Sequence, residues 1–169
     1  WRLPASHAVY WGYLGLALTE PRLEKAGTPD AETVNSDRLV FHGLQQLTHQ
    51  GRLIFDPVSG YYALLPEPRF LDAFEAAYLT VAAKRGEAAM ENFAAGHRNL
   101  LEWGVRLAYF YGDPELAYDV YGRLRDQYGD PSNPDDKYVQ PLDEFVMAEF
   151  QELAGSQNDA RQFISGQLY

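Results

Sequence analysis

The sequence predicts a mainly α-helical protein, a bundle of antiparallel helical hairpins with one β-hairpin near residues 52–65. Three observations carry that expectation. Apolar residues recur at three- and four-residue spacing through most of the chain. Connectors such as Gly112-Asp113 are too short for anything but an antiparallel helical pair. The β-rich runs Arg52–Phe55 and Tyr61–Leu65 flank the turn-forming Asp56-Pro57-Val58-Ser59-Gly60. At 169 residues and 46% hydrophobic content, the chain is expected to form a single domain. Residues 1–66 and 67–169 are its two subregions.

Taken in order, Pro4 and Ser6 can open a first helix reaching about Leu18. Val9, Tyr13, Leu16 and Ala17 give its helical spacing, and Tyr10, Trp11 and Leu14 widen the apolar surface. Gly12 and Gly15 each cost about 1 kcal/mol relative to Ala there, which points to a close neighbour. Pro21 is expected to break the pattern, leaving a loop through Thr28-Pro29-Asp30. Ser36 reads as the N-cap of a helix to Gln50, with Leu39, Val40, Leu44 and Leu47 on one face and Gly51 as its stop. After the β-hairpin, Phe70, Leu71, Phe74, Ala77, Tyr78 and Val81 mark a helix ending near Gly86. Shorter segments follow over about 87–93 and 99–112. Pro114–Tyr128 places Ala117, Val120, Tyr121 and Leu124 inward, and a Pro, Asn and Asp loop over 129–136 leads to helical patterns at Pro141–Leu153 and Ser156–Tyr169.

Composition excludes several chemistries. With no cysteine there is no disulfide framework, thiolate nucleophile or Cys-ligated metal. The 14 basic and 24 acidic residues leave a net charge of −10, which repels phosphate backbones and disfavours nucleic acid as a partner. Residues 1–66 hold five basic and six acidic side chains, whereas 67–169 hold nine and eighteen. The negative field therefore belongs to the helical second part. Leu3–Thr19 lacks formal charge but, with Pro4, Ser6 and His7, falls short of the roughly 20 apolar residues of a spanning helix. Because the sequence opens at Trp1 and ends within a helical pattern, we read it as part of a longer chain.

Around Gly112 the residues resemble a tetratricopeptide-type hairpin over about residues 98–131. Gly104 lies in the first helix, Gly112-Asp113-Pro114-Glu115 forms the turn, and Ala117 and Tyr121 take the small and aromatic positions of the second helix. Gly104 falls one residue early, and no second copy of the pattern occurs. The resemblance implies a protein-binding scaffold, in which flanking helices must complete the core. Residues 113–152, with eleven acidic and three basic side chains, could attract a basic partner. Trp103, Tyr109, Phe110, Tyr118 and Tyr138 do not all fit the inward stripes, and exposed Tyr and Trp favour interfaces. The leading expectation is a non-catalytic interaction module that binds a protein or peptide through Tyr109, Glu115, Tyr118, Asp119 and Asp126.

Two other readings stay open. Residues 36–65 look like the recognition helix and wing of winged-helix domains, which would assign DNA contacts to Arg38, His42, Gln45 and Arg52. An enzyme would need a carboxylate pair that the sequence does not single out. His42 and His49 lie seven apart, not at the four-residue spacing of helical metal ligands. His7 and His97 read as structural or surface residues at helix starts. Asp130, Asn133, Asp135 and Asp136 lack the central Gly and terminal Glu of a calcium loop. No cofactor is implied, and no phosphate-binding loop or nucleophile elbow occurs.

Overall fold

The computed structural model describes residues 2–26 and 31–155. It is mainly helical: α1 (Pro4–Ala26), α2 (Ala31–Gln50), β1 (Arg52–Phe55), β2 (Tyr62–Leu65), α3 (Phe70–Arg85), α4 (Glu87–Phe110), α5 (Pro114–Tyr128) and α6 (Leu142–Gly155). The expected fold, packed helices with one antiparallel β-hairpin, is what forms. Contacts group the chain into two compact units, Trp1–Phe93 and Ala94–Tyr169. No helix among the described residues is long and apolar enough to cross a membrane. The helical pattern expected at Ser156–Tyr169 lies outside the described residues, as does the expected turn at Thr28-Pro29-Asp30.

In the first unit α1 and α2 pack closely because glycines remove side chains where the backbones meet. A β-carbon placed on Gly12 would lie 2.6 Å from Val40 Cγ2 and 3.3 Å from the Ser36 carbonyl. One on Gly43 would lie 2.7 Å from Val9 Cγ2 and 3.1 Å from the Ala5 carbonyl. The core centres on Phe41, whose ring meets Phe74 edge-on at 5.2 Å and Phe93 at 4.8 Å between centroids. Leu44, Leu47, Leu71, Ala77 and Val81 are buried in the same unit. The hairpin pairs Arg52 with Leu65 through Phe55 with Tyr62. It is tied to the helices at its base by Glu67 N–H donating to the Thr48 carbonyl at 2.9 Å.

Three expected boundaries are corrected. Helix α1 continues through Pro21 to Ala26, although an interior proline forfeits a hydrogen bond and costs about 3 kcal/mol. This turn has tertiary support in Glu20, which pairs with Lys84 of α3 at 2.7 Å; within the helix, Thr19 Oγ1 also donates to the Gly15 carbonyl at 2.6 Å. Ser36 does not cap α2 but lies inside it, because the helix begins at Ala31. Its first turns look polar in sequence, yet Thr33 and Asp37 are buried there, and Asp37 pairs with Arg85 at 2.5 Å. The segments expected at 87–93 and 99–112 form one helix, α4.

The second unit packs the rest of α4 with α5 and α6. Leu100, Leu101, Val105, Ala117, Val120, Leu124, Phe145 and Val146 are all almost fully buried. Gly112, at φ +70°, takes the left-handed conformation that ends α4. Asp113 then caps α5, its Oδ1 accepting from Leu116 N–H at 3.1 Å, with Pro114 in the first turn.

Candidate functional site

Helix α5 buries Ala117, Val120, Tyr121 and Leu124, so 3.6-residue periodicity turns the intervening positions outward. Glu115, Tyr118, Asp119 and Asp126 are exposed there at i, i+3, i+4 and i+11, which brings these four expected site residues onto one stripe. Tyr118 keeps 66% of its surface. The fifth, Tyr109, is 40% exposed near the end of α4 beside Phe110 and Tyr111, which are also exposed. Phe110 meets Phe150 of α6 edge-on, at 4.1 Å between centroids. Of the remaining unassigned aromatics, Trp103 is half-buried and Tyr138 is buried.

The charge balance of this unit is set by a cluster that sequence periodicity did not reveal. Lys137 Nζ lies 2.8 Å from Glu102 Oε1 and 3.1 Å from Glu149 Oε1, and Arg106 pairs with the other oxygen of Glu149. Tyr138 donates its hydroxyl to Glu102 at 2.7 Å. Burial alone would raise the Glu102 pKa, but the Lys137 and Tyr138 hydrogen bonds outweigh it and hold the carboxyl below its usual range. Lys137 is shifted the opposite way: desolvation opposes its charge, and the two carboxylates overcome that and raise its pKa. Burial and the neighbouring Glu102 push the Tyr138 phenol up to about 12. These carboxylates converge on cations, so each buried charge of the cluster faces its opposite. Lys137 and Tyr138 sit in a Pro- and Asp-rich loop without periodicity. The only sequence signal for them was an aromatic that fitted no helical stripe.

Arg123 pairs with Asp119 at 2.6 Å and Arg125 with Asp126 at 3.8 Å. Among residues 94–155, four of the five basic side chains are thus engaged by carboxylates of the same unit, against twelve acidic residues. Asp130 and Asp136 of the loop are occupied with its turns. Asp130 Oδ1 accepts from Ser132 N–H at 3.0 Å, and Asp136 Oδ1 from Tyr138 N–H at 2.7 Å. Among the described residues no group of three His, Cys, Asp or Glu is disposed to hold a metal ion.

His97 does not start a helix as expected. It lies deep in α4, fully buried, with Nδ1 2.7 Å from the Tyr128 hydroxyl, and burial lowers its pKa to about 4. In the first unit a cavity of about 180 Å³ opens between α1, α2 and α3. Its walls are largely apolar, with Leu16, Val40 and Phe41, and its polar edge includes Asp37, Glu20 and Lys84. Burial raises the Asp37 pKa, against the opposing effect of the Arg85 hydrogen bond.

The residues of the DNA reading fall on the outward side of α2 and on β1. Arg38, His42 and Arg52 are exposed and Gln45 is half-buried. They supply two fixed cations, where a phosphate-binding surface uses several. No protein-family model, curated protein or solved structure matches the chain.

Proposed function

We propose that this chain is a non-catalytic interaction module, and that the outward stripe of α5 receives a basic protein or peptide segment. The observation that carries the reading is an exposed acidic and aromatic stripe in a unit whose residues 94–155 hold twelve acidic against five basic side chains. Glu115, Tyr118, Asp119 and Asp126 stand outward on one helix face, Asp119 and Asp126 beside Arg123 and Arg125, while Arg106 and Lys137 are held by Glu149 and Glu102, so the acidic excess of the unit is left to its surface. A negative field of this kind raises the encounter rate with a basic partner. The Tyr118 ring offers a face for an Arg or Lys side chain, a cation–π contact of about 0.5–1 kcal/mol at an exposed site. Tyr109, Phe110 and Tyr111 supply further exposed apolar surface at the end of α4.

The test uses a fluorescent arginine-rich peptide and anisotropy titrations across ionic strength. The reading expects salt-sensitive binding that is lost on charge reversal at Glu115, Asp119 and Asp126 together. Binding should also weaken several-fold in Tyr118→Ala, which leaves every charge in place. Equal binding by the parent and the triple variant would sink the proposal.

A further inference from the structure

The β-hairpin presents an unusual side to solvent. Leu53, Phe55, Tyr62 and Leu64 share one face by strand alternation, and all four are exposed. The Phe55 and Tyr62 rings lie 5.1 Å apart on it. Val58 and Tyr61 continue the exposed apolar surface around the tip. The opposite face carries the half-buried Ile54, Ala63 and Leu65. Among the described residues the sheet has two strands, fewer than a free-standing apolar sheet needs for stability. Helix α2 meets the hairpin through β2, and among the described residues no strand pairs with the side of β1 turned away from β2. The four residues of β1 include no proline and no lysine, and its one charge stands at its first position, so the usual guards against edge pairing are few.

The register decides what this edge can accept. Asp56 N–H donates to the Tyr61 carbonyl at 2.9 Å, continuing the pairing of Arg52 with Leu65 and Ile54 with Ala63. Hydrogen-bonded and non-bonded pairs alternate in an antiparallel ladder. Leu53 and Phe55 therefore occupy non-bonded pairs with β2, and their N–H and C=O groups point away from it. An antiparallel strand centred on Ile54 would set its own residues 53 and 55 against Phe55 and Leu53, groups facing groups. The same centring sets Arg52 against Asp56 at both ends of the pair, opposite charges in direct cross-strand positions. A second β1 fits the backbone pattern and sets opposite charges across both ends, Asp56 also accepting from Val58 N–H at 2.9 Å and Ser59 N–H at 3.3 Å within its own turn.

We propose that two copies of this chain associate through β1, pairing antiparallel about a twofold axis at Ile54 to form a four-stranded sheet. Such a contact is isologous, the same patch serving both copies. It joins the two apolar hairpin faces into one surface through the pairs Leu53–Phe55. The partner is a second copy because the charge order along the strand is complementary to its own reverse.

The absence of cysteine makes the test direct. In the proposed pairing Ile54 faces its own copy in a non-bonded position, where Cα atoms stand about 4.5 Å apart, inside the range a disulfide spans. Leu53 and Phe55 are each offset from their own copies by two residues. Three full-chain variants, Ile54→Cys, Leu53→Cys and Phe55→Cys, are oxidised mildly and run on non-reducing gels. Sedimentation velocity of the parent across a concentration series accompanies them. The expected result is concentration-dependent dimerisation of the parent, with covalent dimer from Ile54→Cys at least several-fold above the other two. Adding Arg52→Glu to Ile54→Cys should lower that yield, because two carboxylates would then face each other where Arg52 meets Asp56. A parent that stays monomeric at high concentration, equal yields from all three thiols, or a yield unmoved by Arg52→Glu would overturn the proposal.

Discussion

Replacing Lys137 by Met tests the buried ion cluster of the second unit in one step. The methionine keeps most of the apolar stem and removes the ammonium that lies 2.8 Å from Glu102 and 3.1 Å from Glu149. Their side chains keep 12% and 8% of their surface. Stranding a buried charge by deleting its partner costs about 3–5 kcal/mol. Arg106 still pairs with Glu149, and Lys137 itself is 47% exposed, so solvent screens part of the interaction. The expected loss at pH 7 is therefore about 2 kcal/mol, or roughly 4–8 °C in Tm for a chain of this size.

The same variant predicts a pH dependence. In the parent the Glu102 pKa is lowered, so its contribution is present above the unfolded carboxylate value and is lost as pH falls through the folded one. Without Lys137 desolvation dominates and the folded pKa rises above the unfolded value. The variant is then penalised as pH rises through that range. The stability gap between parent and variant should be widest near pH 7 and narrow below about pH 4.5. Urea unfolding at pH 7 and pH 4 measures it. A gap under about 0.5 kcal/mol at pH 7, typical of an exposed pair, or one that does not narrow in acid, would refute the reasoning.

Three further outcomes follow from the packing. His97 is buried with its pKa lowered to about 4, so the unfolded chain binds its proton first and stability falls as pH drops from about 6.5 toward 4. The loss is on the order of 3 kcal/mol; NMR titration of the imidazole and unfolding of His97→Gln, which should lose that slope, both check it. Gly43→Ala should cost about 1 kcal/mol, overpacking against Val9 and the Ala5 carbonyl exceeding the helix-propensity gain. Combining it with Val9→Ala should recover part of that loss in a double-mutant cycle. Tyr121→Phe removes the hydroxyl whose single proton is shared between the carbonyls of Gln140 at 2.6 Å and Tyr138 at 3.0 Å. A loss of about 1–2 kcal/mol in chemical denaturation is expected.

Local signals read correctly wherever a residue acts on its own neighbourhood. Asp113-Pro114 announces the start of α5 because the cap and the fixed φ operate within one turn. Pro57 and Gly60 lie between the two strands for the same reason. The readings that failed share another cause. Pro21 and Ser36 carry end-of-helix chemistry, yet both sit inside helices whose flanking turns are held from elsewhere in the unit. Glu20 reaches Lys84 and Asp37 reaches Arg85, partners 64 and 48 residues away. Helix α4 runs unbroken past Gly96 because its buried positions, His97 and Leu100 among them, are covered by tertiary neighbours.

The outward stripe of α5 was visible in advance, since Ala117, Val120, Tyr121 and Leu124 define a buried face and leave Glu115, Tyr118, Asp119 and Asp126 on the other. The cluster of Glu102, Arg106, Lys137, Tyr138 and Glu149 was not, because it joins two helices to an aperiodic loop. The sequence by itself determined helix faces, the Pro114 start of α5, the hairpin and the sign of the net charge, all but the last governed by residues within about one turn or one strand of each other. Tertiary structure alone decided which helices run on through their breakers, which charges are buried and paired, and which apolar faces stay in water. Those depend on partners distant in sequence, whose burial and Coulomb energies exceed the local preferences they override.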